Sequence, residues 1–566
     1  MTKLSLVGYK NNYFKCLIVL CIVFNAVGLF FPILRNDDPT LYASIAKNII
    51  LSGNWLSLFH PLSVDWLDKP HLQFWLTAIS FKIFGVTSFA YMLPGFLFHL
   101  LGAYYTYRLA RLLFDKSIGL LSALIYLSSF HLLLSATVDV RAEAYLCGMI
   151  MAACYYYLKL FSYSQFKLKP LLIATIMTSC AIMTKGIFVT ITIASGVMLI
   201  IYQQIFYAKA VKPSQIIVRL ILAVILTGLF ISPELWALYV QFDLHPEKII
   251  FNTSHVSGIK WFLWDSQIGR FFNTGQITRH DPLGYGHYLF FVPTFLWSFL
   301  PWSIVFLAGL ISIIKNRGYY YPFNLLLSWF FVTFIVFSLS KFQLDYYTNI
   351  LIPFAAIISA VWLNNQSINI ATANRVIKFQ IYLSVILVLI AFILGGYILS
   401  GLYQLALLTL AVIVLTWFFR LSHNDNWYKA ITFSVVTINS IFVVIMLIYG
   451  SIYTQYDIGY NVATYLNKQN YTQKVISYKF NSLTLEFYLK NGYNNADNKS
   501  QLAKFNGRLY IVSPITNLAE LRDYYGKRMQ VERYFSDMTI DKLLKNILER
   551  ERLNRLSNQY VLIKVN

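Results

Sequence analysis

Long apolar runs separated by short polar stretches recur along most of the chain. They fall at 14–34, 89–109, 118–137, 142–160, 170–184, 187–205, 216–236, 288–313, 321–340, 348–364, 377–399, 402–420 and 430–453. A helix needs roughly 20 apolar residues to cross about 30 Å of hydrocarbon, and most of these runs come close to or exceed that length. The pattern predicts about thirteen transmembrane helices. The first run carries one charge, Lys15, at its start, and no small-residue cleavage site follows it, so it reads as a span and not as a removable leader.

The polar stretches alternate in character. Arg108, Arg111 and Lys116 lie between the second and third runs. Lys159, Lys167 and Lys169 follow the fourth, Lys209 and Lys212 the sixth, Lys315 and Arg317 the eighth, and Arg375 and Lys378 the tenth. All of these fall on one side, which the positive-inside rule makes cytoplasmic. The other side receives two long segments, 35–88 and 237–287, whose tryptophans (Trp55, Trp66, Trp75, Trp261 and Trp264) suit helices lying in the membrane interface. From residue 455 the chain turns polar and lysine-rich. Stretches 474–478 and 508–512 read as strands, and 483–489 and 541–555 as helices. The expected organisation is a transmembrane part, 1–454, and an extracytoplasmic α/β domain, 455–566.

Composition agrees with a membrane setting. Hydrophobic residues make up 58% and charged residues 12%, against about 25% charged in globular domains. Cys16, Cys21, Cys147, Cys154 and Cys180 all lie in apolar runs and form no CxxC, which argues against structural disulfides and thiolate zinc sites. The net charge of +22 sits on no recognisable basic module, so membrane lipids and not nucleic acid are the expected contacts.

Candidate chemistry gathers on the outer side. Asp37-Asp38-Pro39 follows the first run; Asp38 before Pro39 is a candidate helix N-cap, which leaves Asp37 unexplained. Asp68-Lys69-Pro70 could be an interfacial salt bridge. Asp139, Arg141 and Glu143 between two runs could be a short solvated turn. Lys185-Gly186, Arg270, Lys341, Tyr346 and Tyr347 complete the set. Cations there suit a lipid-linked phosphate, and carboxylates suit an acceptor or a developing oxocarbenium ion.

The order Asp37-Asp38-Pro39, Tyr42, Ile45-Ala46, Ser52-Gly53-Asn54-Trp55, Asp68-Lys69-Pro70, Trp75-Leu76 and Phe81-Lys82-Ile83-Phe84-Gly85 resembles the bacterial GT-C glycosyltransferases. Specifically, it resembles the 4-amino-4-deoxy-L-arabinose transferases of lipid A and their relatives in the protein O-mannosyltransferase superfamily. Thr184-Lys185-Gly186, Phe299-Leu300-Pro301-Trp302, and Ser338 with Lys341, Tyr347 and Pro353 continue the match, which covers roughly residues 10–365. The family usually writes Asp-Glu-Pro and Glu-Lys-Pro where this chain has Asp37-Asp38-Pro39 and Asp68-Lys69-Pro70.

The resemblance implies an all-α polytopic GT-C body with a C-terminal α/β domain in a bacterial inner membrane. It implies inverting transfer from a polyprenyl (undecaprenyl) phosphate-linked sugar to lipid A or another envelope acceptor. Asp37 and Asp139 are its catalytic candidates. Lys69, Arg270 and Tyr347 match groups that hold the carrier phosphate, and Lys341 is a further cation for it; Asp38, Asp68 and Lys185 are additional site candidates. Asp68 stands where relatives have a metal-binding glutamate, but the aligned partner histidine is Gln267, and His255, His280 and His287 are out of register. A divalent metal is therefore left open and no cofactor is assigned. Two alternatives stand beside this reading. One is transfer to protein Ser/Thr or a surface glycan. The other is a transporter or flippase, which calls for mid-membrane charges and repeat symmetry that the sequence does not display.

Overall fold

The computed structural model describes residues 3–31, 33–34, 37–60, 64–274, 276–277, 288–315, 321–364, 370–420, 426–537 and 559–566. The apolar runs are helices, the conformation that satisfies every backbone polar group without water. Among the described residues ten helices are long and apolar enough to cross a membrane, or twelve if each of two bent pairs is one span. Every one of the expected runs falls on a helix or a bent pair. The remaining one is Ser88–Leu113, whose 26 residues suffice in length. His99, Arg108, Arg111 and four tyrosines make it less apolar than the others, so by length and apolarity the count is ten to twelve against about thirteen expected.

The two bent pairs break against each other. Lys116–Leu127 meets Phe130–Thr137 at 63°, and Phe291–Ser298 meets Ser303–Lys315 at 116°. Phe130 N–H donates to the Leu300 carbonyl at 2.9 Å. The buried Trp302 indole donates to the Ser128 carbonyl and hydroxyl at 3.2 and 3.1 Å. Pro301 has no N–H with which to continue a helix, and each break supplies hydrogen-bond partners that the other lacks. The motif Phe299-Leu300-Pro301-Trp302 thus joins two broken spans.

The first long polar segment holds helix Asp38–Ser52, a two-stranded ribbon of β1 (Phe59–His60) and β2 (Val64–Asp65), and helix Leu72–Phe84. The second continues from helix Pro213–Leu238 through a π-turn at Tyr239–Asp243 into short helices ending at Ser266–Phe272.

Beyond helix Asn426–Tyr456, strands β3 (Lys474–Tyr478), β4 (Asn494–Ala496), β5 (Leu509–Pro514), β6 (Met529–Phe535) and β7 (Tyr560–Val565) form one sheet in the order β4-β3-β5-β7-β6. β3 runs parallel to β4 and β5, whereas β7 is antiparallel to β5 and β6. Both faces are apolar, with Val475, Val512 and Leu562 on one and Ile476, Ile511 and Ile563 on the other, the pattern of a sheet covered on both sides. The strands expected at 474–478 and 508–512 are β3 and β5, and helix Leu483–Tyr488 lies where one was expected. The expected helix at 541–555 lies outside the described residues.

Helix Leu483–Tyr488 docks on the first polar segment. Lys47 of helix Asp38–Ser52 is buried, and its Nζ donates to the carbonyls of Glu486, Phe487 and Leu489 at 2.8, 3.1 and 2.7 Å. Three ammonium protons meet carbonyls that a helix C-terminus leaves without partners. Burial, opposed by Glu486, draws Lys47 down to about 8. The Tyr488 hydroxyl accepts from Leu34 N–H at 2.6 Å and pairs with Ser88 Oγ at 2.7 Å. Replacing Lys47 by Met leaves buried carbonyls unsatisfied and is expected to cost about 1–3 kcal/mol. Thermal unfolding in detergent and limited proteolysis between residues 456 and 474 check this; an unchanged midpoint and cleavage rate would show that the joint does not depend on Lys47.

Candidate active site

Asp37 and Asp38 sit where the first span gives way to helix Asp38–Ser52. By backbone geometry the N-cap is Asp37, not Asp38, and the Asp37 carboxylate makes no capping bond. Both side chains turn to a charged donor instead. Arg141 donates through Nε to Asp139 Oδ1 at 2.8 Å, through Nη1 to Asp38 Oδ2, and through Nη2 to Asp37 Oδ2 at 3.0 Å. Each of these bonds joins two opposite full charges, whereas a cap would meet only the partial charge of a backbone N–H. Burial raises the Asp38 carboxyl above its usual range, and Arg141 and Lys69 only partly oppose this.

Residues 139–143 are not a solvated turn. Arg141 is mostly buried, and Glu143, 2% exposed, accepts from Lys185 Nζ at 2.6 Å. The Tyr346 ring lies between two cations, with the Arg141 guanidinium 4.9 Å and Lys185 Nζ 5.3 Å from its centre; Lys185 is also 4.8 Å from Tyr347. Lys185 ends helix Leu168–Lys185, and Gly186 turns the chain at φ +106°. That backbone conformation calls for glycine, and a Cβ there would also crowd the end of the Gln267 side chain.

Asp68 is shared between cations. Oδ1 accepts from Arg270 Nη2 and Oδ2 from Lys69 Nζ at 2.8 Å, and Arg270 also reaches the Asp68 carbonyl at 3.1 Å. Burial pushes the Asp68 carboxyl up, but Lys69 and Arg270 outweigh it and hold the group near 2. Burial, assisted by Arg270, brings Lys69 down to about 8 despite Asp68. Both Asp68 oxygens are thus committed to cations. The Gln267 amide donates to Ser266 Oγ at 2.8 Å, and among the described residues no three His, Cys, Asp or Glu side chains stand together as metal ligands. This donor set does not fit a metal cage. His280 and His287 lie outside the described residues, and His255 is exposed.

Two cavities flank the ion pairs. A cleft of about 950 Å³ is lined by Asp37, Asp38, Asp139, Arg141, Lys69 and Arg270. A cavity of about 600 Å³ is walled by apolar side chains including Leu146, Phe188, Val189, Phe271 and Phe337, with Lys185, Arg270 and Tyr347 among its polar residues. Arg270 and Phe342 line both. Of the residues singled out in the sequence, only Lys341 stands apart: it is exposed, lines neither cavity, and bonds through its backbone N–H to the Phe271 carbonyl at 2.8 Å. The roles of Arg141, Glu143 and Tyr346 were not apparent from sequence; the charge run 139–143 was the signal for the first two, and the pair Tyr346-Tyr347 for the third.

Residues 68–231 match the family model described as dolichyl-phosphate-mannose-protein mannosyltransferase. Undecaprenyl phosphate-α-4-amino-4-deoxy-L-arabinose arabinosyl transferase 2 of Proteus mirabilis is 29% identical over 356 residues, 61% of this chain and 58% of the relative. A Yersinia enterocolitica protein of the same description is 28% identical over 58% of this chain and 56% of its own length. The matched region thus spans a little over half of these relatives. The crystal structure of ArnT from Cupriavidus metallidurans bound to undecaprenyl phosphate superposes with a TM-score of 0.70 at 15% identity, over 98% of both chains. This chain has the GT-C fold of that structure and is similar in sequence to the aminoarabinose transferases and the protein mannosyltransferase model. The ion pairs described above therefore lie on a GT-C scaffold, where Asp37, Lys69, Lys185 and Arg270 converge from four separate segments.

Proposed function

We propose that this chain is an integral membrane glycosyltransferase. In this reading it transfers a sugar from a polyprenyl-phosphate carrier, with inversion, to lipid A or a related envelope acceptor outside the bacterial inner membrane. Residues 455–566 form an extracytoplasmic domain. The supporting observation is the order of polarity across the site. An apolar cavity, a cluster of cations and a carboxylate-bearing cleft follow one another, as do the tail, phosphate and sugar of such a donor. The names of the curated relatives support an aminosugar on undecaprenyl phosphate.

The acceptor oxygen attacks the anomeric carbon in line, the bond from that carbon to the phosphate oxygen breaks, and the carrier phosphate leaves with the electron pair. Lys69, Lys185 and Arg270 neutralise it as preorganised cations, with Tyr347 beside them. Asp37 is the most exposed of the three carboxylates on Arg141, at 44% against 31% and 22%, and it orients the acceptor. A hydroxyl acceptor gives its proton to Asp37 as general base; a phosphate acceptor has none to give. Asp139 shares this cleft. The match to a protein mannosyltransferase model favours protein Ser/Thr as the second acceptor class. Mass spectrometry of lipid A and of envelope proteins with and without the gene separates the two.

Asp37→Asn keeps the shape and removes the charge. With a hydroxyl acceptor it should lower transfer by about 10²–10⁴-fold while undecaprenyl phosphate still binds; normal turnover of such an acceptor by a folded variant rules out Asp37 as its base. Arg270→Ala removes a charge-assisted contact to the phosphate and should weaken that binding by about 1.5–3 kcal/mol. Because Lys69 lies near 8, carrier binding to the free protein should fall as pH rises through 8, below the ordinary lysine range of about 10.4. Lys69→Arg should abolish that fall, and an unchanged profile would count against Lys69. For orientation, reporter fusions after Lys116, Lys212 and Lys315 should report cytoplasm, and those beside Lys69, Arg270 and Gln455 the outside. A cytoplasmic first segment would remove the extracytoplasmic mechanism.

A further inference from the structure

The turn that carries Asp68 and Lys69 is held at four points by helix Pro213–Leu238 and the segment after it. Asp65 Oδ1 accepts from Gln241 Nε2 at 2.9 Å and Lys248 Nζ at 2.8 Å. The Leu67 carbonyl accepts from the Trp261 indole at 3.1 Å, and the Asp68 carbonyl from Arg270 at 3.1 Å. The fourth point is His71, whose backbone N–H lies 3.0 Å from Glu234 Oε2 and whose ring Nδ1 lies 2.9 Å from Glu234 Oε1.

Glu234 is 0% and His71 1% exposed. A carboxyl group buried near the end of a membrane-spanning helix is costly, and such groups are retained for a task. Glu234 lines neither of the two large cavities, which keeps it from touching carrier or acceptor there. It lines a smaller one, of about 290 Å³, whose wall also includes Lys69, Lys185 and Arg270. Between the points at Asp68 and His71 only Lys69 and Pro70 remain, and proline has its φ locked. The direction in which Lys69 leaves the chain is therefore set by the two flanking hydrogen-bonded points.

We propose that Glu234 is a positioning residue which, through His71, aims Lys69 at the carrier phosphate. This rests on the assignment of Lys69 to that phosphate. Without Glu234 the turn loses its anchor on the C-terminal side, and the Lys69 ammonium samples positions that do not meet the phosphate.

The test is undecaprenyl phosphate binding to the purified full chain in nanodiscs. Glu234→Ala should weaken binding about tenfold, and in a Lys69→Ala background it should add less than about twofold, because an effect exerted through Lys69 disappears with it. Glu234→Gln should recover most of the affinity, since its amide oxygen still accepts from His71. His71→Ala removes the ring bond and leaves the backbone bond. It should weaken binding by about threefold and also lose its effect in the Lys69→Ala background, which gives the test a gentler variant if Glu234→Ala does not fold. Equal weakening by Glu234→Ala with and without Lys69 would mean a general structural role and overturn the proposal. If Lys69→Ala alone leaves binding unchanged, the phosphate assignment falls and this inference falls with it. If Lys69→Ala weakens binding but the Glu234 and His71 variants do not, only this inference is lost.

Discussion

One guanidinium facing three carboxylates is the constraint around which the site is built. Asp37, Asp38 and Asp139 come from segments about a hundred residues apart and meet at Arg141. Close like charges raise one another's pKa and push their segments apart unless a cation sits among them. Arg141 reaches its three partners through three different nitrogens, Nε, Nη1 and Nη2, a spread that the fork of a guanidinium provides and the single nitrogen of a lysine does not. The start of helix Asp38–Ser52 is thereby tied to the start of helix Ala142–Ser162, and the catalytic candidates cannot separate without breaking that contact.

The remaining charges are arranged around this centre with opposite bias. Lys69, Lys185 and Arg270 face Asp68 and Glu143, a surplus of one positive charge. Arg141 faces its three carboxylates, a surplus of two negative charges. Tyr346 lies between Arg141 and Lys185, and its ring face accepts both cations without neutralising either. The site is thus polarised over a short distance, and the cationic side is the one that shares residues with the apolar cavity.

The first polar segment owes its position to contacts from three sides. Arg141 takes its start, helix Pro213–Leu238 and the segment after it take the turn at 65–71, and Leu483–Tyr488 takes Lys47 of helix Asp38–Ser52. That helix carries the Asp37–Asp38 pair at one end and a C-terminal contact along its length.

Sequence by itself determined the helical membrane body, because the rule behind it is local: an apolar run in hydrocarbon must satisfy its own backbone. It also marked Asp37, Asp68, Lys69 and Lys185, each within two residues of a proline or glycine in a polar stretch between apolar runs. Only the tertiary structure decided what these groups do to one another. Residues 139–143 looked like a solvated turn, yet they hold the central cation and a buried ion pair. Glu234 lies in an apolar run that the sequence reading took whole, yet it meets His71 163 residues away. The two bent spans looked continuous, yet each breaks where the other supplies a hydrogen-bond partner. In each case the deciding partner lies far along the chain, and no local pattern of polarity records which distant segment will arrive.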